Sequence, residues 1–456
     1  MDADSVLSDA VIEQVERIGQ ADIMVGIPSY RNAATIPHVV KAATAGLVQY
    51  FPDQKPVLVN SDGGSPDRTR ELVLSTESPD YVEQIILVEP THRLQRVSLT
   101  YRGIPGKGSA FRAIFDIARR LGVKACVVVD SDLRSIVPEW IELLAGPIVK
   151  GGFDFVAPLY CRHKFDGTIT NMVAYPLTRA LYGKRVRQPI GGDFGLSSDL
   201  IAAYLDSPLW DEYVARYGID IWMTTLALNE GFAVCQANLG AKIHDAKDPG
   251  ADLGPMFREV VGTLFRLAHV YQGNWMQVRG SRALPVYGLE RIAVPPPIEV
   301  NVERLIEQFR MGTVNYLPLW QAILPADTIH DLGELAKLDE GRFYFPAELW
   351  IKCIYDFLYA YGTVQGFSKE QILNSLTPIY FGRVASFVVE RIDSIDEVAE
   401  QDLERQAREF ERLKPYLVSR FEALHRSSGG SNSPLRALGS DNADSSEERA
   451  SASSTS

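Results

Sequence analysis

From residue 21 to about 245, short β-branched runs alternate with stretches of helical periodicity, and no other feature narrows the available folds as much. The runs ADIMVGIP (21–28), KPVLVNSD (55–62), EQIILVEP (83–90), KACVVVD (124–130) and FDFVAPLY (153–160) are separated by amphipathic segments. Strands alternating with helices of this length predict an α/β layer whose sheet is mostly parallel and covered by helices on both faces. Ligands of such sheets bind beyond the carboxyl ends of the strands. The polar turns fall there: PSYRNAAT follows the first run, NSDGGSPDRT the second and DSDLRS the fourth, which predicts one cleft shared by all three.

The periodicity also divides the chain. Residues 1–20 read as an acidic amphipathic helix, 21–280 as the α/β domain and 281–300 as a Pro-rich connector. Residues 301–426 read as a mostly helical C-terminal domain, and 427–456, with eleven serines in thirty residues, as a disordered tail. WIKCIYDFLYAYG (350–362) and YFGRVASFVV (380–389) carry more apolar surface than one helix face requires. They predict either a homodimer or packing on the α/β domain.

A formal net charge of −12 argues against a nucleic-acid backbone or an anionic membrane as partner, so an anionic substrate needs locally clustered cations. The N-terminus lacks the basic and apolar regions of a signal peptide, and no run reaches the ~18 apolar residues of a membrane span. A cytoplasmic protein is expected. Cys126, Cys161, Cys235 and Cys353 share no CxxC spacing, as expected of free thiols in a reducing compartment.

Asp130 and Asp132 flank Ser131 where the fourth strand surfaces, so strand alternation points both acids to one side. Two carboxylates so placed can address one hard cation, Mg²⁺ or Mn²⁺, which in turn neutralises a departing nucleoside diphosphate. The alternative is helix capping by Ser131, Asp132 and Ser135. Upstream, Gly106 and Gly108 flank Lys107 at the start of an amphipathic helix, a place where backbone and ammonium can meet phosphate or sugar oxygens, or simply a Gly-rich turn with an exposed lysine. The spacing is not that of a Walker A loop.

The ordered set GKG, DSDLRSIVPEWI, RHKFDGTITNMVAYPLTRALYG, QPIGGDFGLS, YGIDIWMTT and GAKIHD resembles the retaining GT-A-type glycosyltransferases that make mannosylglycerate, glucosylglycerate and glucosyl-3-phosphoglycerate. The likeness covers about residues 21 to 260, and continues more loosely through LPVYGLERI, FPAELWIKCIYDF and LTPIYFGRVASFVV. It implies a GT-A-like, Rossmann-like sheet and a metal held by Asp130, Asp132 and His244. It also implies an acceptor carboxylate gripped by Arg162, Asp166 and Thr170, whose i, i+4, i+8 spacing fits one helical face. Gly191 and Gly192 are expected under the sugar or acceptor, with Asp193 on sugar hydroxyls. Asp220 is expected at the catalytic centre together with Lys107. Pro28, Tyr30, Asn32, Asp62 and Ser131 are expected beside the nucleotide sugar, whose base stays open.

The function so implied is metal-dependent, retaining transfer of glucose or mannose from a nucleoside-diphosphate sugar to D-glycerate. The acceptor 3-phosphoglycerate is the alternative, with His163, Lys164, Lys184, Arg185 and Arg187 as candidate cations for its phosphate. An inverting enzyme with Asp220 as base is a second alternative, and a non-catalytic nucleotide-sugar sensor a third.

Overall fold

Apolar runs buried on both sides make the strands, and their alternation assigns each residue to a face. In the computed structural model, which describes residues 6–77, 91–244, 253–290 and 295–427, the strands are β1 (Ile23–Ser29), β2 (Pro56–Asp62), β3 (Gln95–Thr100), β4 (Ala125–Val128), β5 (Phe155–Cys161), β6 (Phe194–Ser197), β7 (Val234–Ala241) and β8 (Val286–Tyr287). They form one sheet in the order β3-β2-β1-β4-β6-β5-β7-β8, in which only β6 runs antiparallel to its neighbours. Ile23, Val25, Ile27, Val127 and Val129 enter one apolar cluster, under the helices Ile36–Tyr50 and Glu139–Gly151. Met24, Val57, Val59, Cys126 and Val128 enter the other, under Lys107–Leu121. The expected mostly parallel sheet with helices on both faces is therefore present.

Two details differ from the sequence reading. The run 83–90 lies outside the described residues, and the strand beside β2 is Gln95–Thr100, which the sequence reading did not single out. The connector 281–300 is not all linker, because Val286–Tyr287 pairs with β7 and extends the sheet. The tail beyond residue 427 also lies outside the described residues.

The C-terminal helices share the second apolar cluster rather than forming a core of their own. Trp350, Ile354, Tyr355, Tyr380 and Val384 are fully buried in it together with Phe111, Leu177 and Phe257. The apolar excess of residues 350–362 and 380–389 is thus consumed within the chain. The helix Lys369–Arg391 is long and apolar enough to cross a membrane by length and composition, but 83% of that stretch is buried inside the protein. It starts at a capping box in which the Ser368 hydroxyl accepts from Gln371 N and the Gln371 amide accepts from Ser368 N. Cys126, Cys235 and Cys353 are buried free thiols, and Cys161 is a half-buried one.

One buried arginine joins the two halves. Arg179, on the helix Tyr175–Tyr182, is 2% exposed and donates to Glu404 at 2.7 Å, to Glu411, to the Tyr175 hydroxyl at 3.0 Å and to Ser281 at 3.2 Å. Glu404 and Glu411 lie on the final helix, Asp396–Ser427. Truncating one member of a buried ion pair leaves the other uncompensated. Arg179→Met is therefore expected to destabilise the protein by about 3–5 kcal/mol, measured by urea unfolding. Adding Glu404→Gln and Glu411→Gln should recover a large part of that loss.

Candidate active site

Because β1, β2, β4, β5 and β7 run the same way and β6 runs against them, their polar ends gather at one edge of the sheet. There the chain lines a cavity of about 870 Å³, within the usual size of a small-molecule site. Its wall includes Tyr30 after β1, Gly63 after β2, Asp130 and Asp132 after β4, Arg162 after β5, Gly192 before β6, and Lys242 and His244 after β7.

The floor is a buried ionic knot. Lys107 Nζ lies 2.8 Å from Asp130 Oδ1 and 3.3 Å from Asp220 Oδ2. Lys242 Nζ, on a side chain 3% exposed, lies 2.8 Å from Asp130 Oδ2 and 2.9 Å from Asp193 Oδ2, and donates to Gly191 O at 2.8 Å. Burial opposes both ammonium charges, but the surrounding carboxylates outweigh it and raise both lysine pKa values. Burial likewise opposes the charge on Asp130, and the two lysines overcome it, holding that carboxyl far below the usual range. Asp130, expected as a metal ligand, thus has both oxygens engaged by ammonium groups.

Asp193, expected on sugar hydroxyls, is fully buried and does not line the cavity. It accepts from Asp130 N at 2.8 Å, from the Tyr160 hydroxyl and from Lys242. Its work is to hold the knot. Gly192 has φ +89°, and a Cβ there would run into Asp130 Oδ2, so glycine is required for the carboxylate to approach Lys242. Gly191 packs on Pro158.

Asp132 and His244 stand together at the cavity wall. Arg134 N donates to Ile243 O and Ile243 N donates to the Ser135 hydroxyl, both at 2.9 Å, which ties the turn after β4 to the residue preceding His244. Asp132 has a raised pKa, first from burial and then from the charge of Asp130, while Lys242 and, less strongly, His244 pull it the other way. A carboxylate raised in this way gains from any approaching cation. The helix after this turn begins only at Glu139, so the two acids do not cap it. Among the described residues no three His, Cys, Asp or Glu side chains are placed to hold a metal by themselves. A carboxylate and an imidazole nonetheless fit a Mg²⁺ or Mn²⁺ ion that takes its remaining oxygens from substrate phosphates and water.

Asp220 heads the helix Ile219–Asn229 and lines the cavity. Its Oδ2 meets Lys107, whereas its Oδ1 is buried without a hydrogen-bond partner. Burial raises its pKa, Lys107 opposes that, and Asp130 adds to it.

Arg162, Asp166 and Thr170 do converge on the cavity, but not along a helix. Residues 162–167 form a loop that turns at Gly167 (φ +63°), and helical structure opens only beyond it, with a π-helical turn at Thr170–Ala174. The turn brings Arg162 Nε to 3.4 Å from Asp166 Oδ2, and Asp166 Oδ2 lies 3.9 Å from His244 Nε2. The three residues are therefore brought together by this turn and not by the i, i+4, i+8 spacing of one helical face.

Of the residues expected beside the nucleotide sugar, Pro28, Tyr30, Asn32 and Ser131 line the cavity. Asn32 Oδ1 accepts from Tyr30 N at 2.9 Å and from the Ser131 hydroxyl at 2.8 Å, joining the ends of β1 and β4. Asp62 does not line the cavity: it is fully buried and accepts from Ser29, Gly64 N and both donors of Ser65. Gly106 and Gly108 make their close approach to residues 214–216 rather than to a ligand, and Gly108 N and Ser109 N donate to the carbonyls of Arg216 and Ala215. The Gly108 and Ser109 amides are therefore spent inside the protein, while Gly106, Lys107 and Ala110 line the cavity.

The cations expected to meet an acceptor phosphate lie elsewhere. None of His163, Lys164, Lys184, Arg185 and Arg187 lines the cavity. Arg187 pairs with Glu400 at 2.6 Å, Arg185 bonds Ser281, and Lys164 caps a helix. The residue that the sequence reading missed is Lys242, a lone cation at the end of the apolar run VCQANLGA. Arg216, which lines the cavity 3.8 Å from Glu259, was missed as well.

No protein-family model matches the chain, and no curated protein matches it. Among solved structures, glucosyl-3-phosphoglycerate synthase from Mycobacterium tuberculosis in complex with phosphoglyceric acid aligns at 25% identity, over 56% of this chain and 83% of that one, with a TM-score of 0.42. The same enzyme in complex with Mn²⁺, UDP-glucose and phosphoglyceric acid aligns at 24% identity over the same shares, again with a TM-score of 0.42. Its complex with Mn²⁺, UDP and glucosyl-3-phosphoglycerate aligns at 25% identity, over 56% and 83% of the two chains, with a TM-score of 0.42.

Proposed function

We propose that the chain is a divalent-metal-dependent hexosyltransferase that moves glucose or mannose from a nucleoside-diphosphate sugar to D-glycerate with retention of the anomeric configuration. The observation that carries this reading is the meeting, in one cavity, of Asp132 with His244, of Lys107 with Asp220, and of Arg162 with Asp166 and Thr170. These are the means to neutralise a diphosphate, to attend the reacting carbon and to hold a small hydroxy acid.

A bound Mg²⁺ or Mn²⁺ supplies Lewis-acid stabilisation of the leaving diphosphate, and Asp132 and His244 are the residues that would hold it. Lys107, kept protonated by Asp130 and Asp220, adds a fixed positive charge beside the same oxygens. Arg162 takes the acceptor carboxylate as a fork, and Asp166 and Thr170 take its hydroxyls. The unpartnered Asp220 Oδ1 accepts a hydrogen bond from a hydroxyl at the reacting centre. Positioning of this kind is worth several kcal/mol when the reacting atoms are held in line. The displaced positions of Lys184, Arg185 and Arg187 favour glycerate over its phosphate ester.

Asp220 also supports a second reading, inverting transfer with that carboxylate as base. The anomeric proton of the fresh product, read by NMR, separates the two. A matrix of UDP-, GDP- and ADP-glucose and GDP-mannose against glycerate and 3-phosphoglycerate, with and without EDTA, identifies donor and acceptor by mass spectrometry. Consumption of no donor in any combination would leave only the non-catalytic sensor.

Two outcomes are expected. Asp132→Asn and His244→Ala each lower turnover by at least about 100-fold at unchanged thermal stability, the loss of several kcal/mol of charge stabilisation. Near-normal turnover in either variant, in Mg²⁺ or Mn²⁺, contradicts the metal assignment. The carboxylate form of Asp220 is lost as pH falls through a raised pKa, so kcat at saturating substrate and metal should decline at a higher pH than an ordinary aspartate of about 3.9 allows. A pH profile that stays flat to below about 4 contradicts that role.

A further inference from the structure

The loop that carries Arg162 and Asp166 is bound to the C-terminal helices by its own lysine. Lys164 Nζ donates to the carbonyls of Arg391 at 2.7 Å and Ile392 at 2.9 Å and to that of Ser394, and Lys164 N donates to Asp396 Oδ1 at 3.2 Å. The Arg391 and Ile392 carbonyls end the helix Lys369–Arg391, where no intrahelical N–H remains for them and where the helix dipole favours a cation, and the Ser394 carbonyl lies in the bend beyond. An ammonium has three N–H donors, and here all three are used. Beyond Lys164 the grip continues. The Phe165 ring meets Phe387 edge-on at 6.2 Å, and the Thr168 and Tyr380 hydroxyls are 2.6 Å apart. Gln406 on the last helix donates to Asn171 O at 3.3 Å, within the π-helical turn.

We propose that Lys164 is a positioning residue through which the C-terminal helices set acceptor recognition. By tying the loop to the helix end it fixes the turn at Gly167, and that turn, rather than a helix face, brings Arg162, Asp166 and Thr170 to one point. The donor side of the cavity, built on β1 and the turn after β4, meets this loop through Asp166, whose Oδ2 lies 3.9 Å from His244 Nε2, and not through Lys164. The assignment of these three residues to the acceptor rests on the function proposed above.

The test compares wild type with Lys164→Met, Lys164→Arg and Tyr380→Phe. Acceptor and donor KM are measured separately, and hydrogen exchange is followed across residues 162–174. Lys164→Met should raise the acceptor KM about tenfold, the order of one lost charge-assisted cap, with donor KM changed less than about twofold. Exchange in 162–174 should accelerate, and Lys164→Arg should restore most of both. If Lys164→Met does not fold, Tyr380→Phe, which removes only the bond to Thr168, should show the same split at smaller amplitude. Equal shifts in both KM values, or exchange in 162–174 that does not change, overturn the proposal. Should wild type transfer hexose to no hydroxy acid, the functional reading fails, and the exchange measurement still decides whether Lys164 holds the loop.

Discussion

Asp130 is held between two ammonium groups, Lys242 buried and Lys107 half-buried at the cavity, and most of the site follows from that arrangement. A carboxylate and two lysines taken out of water are tolerated only if every charge finds a partner. The partners account for the surroundings. Asp193 is buried completely to balance Lys242, Asp220 receives the other side of Lys107, and Gly192 adopts a left-handed conformation so that nothing comes between Asp130 and Lys242. Tyr160 closes the knot from the side, its hydroxyl donating to Asp193 and its ring 5.2 Å from Lys242. The acid pair after β4 is therefore divided. Both line the cavity, but the two oxygens of Asp130 are engaged by Lys107 and Lys242, whereas Asp132 stands beside His244.

The second constraint is topological. One antiparallel strand within an otherwise parallel sheet lets β6 begin where its neighbours end, so Gly192 and Asp193 reach the same edge as Asp130 and Lys242. The C-terminal helices then complete the wall from outside the sheet. They share its apolar cluster, receive Arg179 and Lys164, and thereby determine the shape of the loop after β5.

Much of this was legible in the sequence because the signals were local. β1, β2, β4 and β5 could be read from apolar runs, the cleft from polar residues at their ends, and Lys107 from its place at the start of an amphipathic helix, whereas Asp220 came from the resemblance and heads a helix whose residues 219–227 are all buried. What could not be read was direction. An acid after a strand can face a cavity or its own loop, and Asp62 and Asp193 both turned inward to bind backbone amides, hydroxyls or a lysine. Likewise Lys164 and Arg187 are cations near the site in sequence, but each is consumed by a carbonyl or carboxylate more than 200 residues away. Lys242 carried a usable signal that went unread, since a lysine at the end of a buried strand must have carboxylate partners. The two-residue β8 had none, because its pairing depends on β7 rather than on its own composition.

The account stands on a division of labour between neighbouring aspartates, and the most direct measurement is anomalous diffraction from crystals grown with Mn²⁺ and a nucleoside diphosphate. A manganese peak bonded to Asp132 and His244, with Lys107 and Lys242 still on Asp130, is the predicted result. A peak seated on Asp130 with either lysine displaced, or no peak between Asp132 and His244, would contradict it.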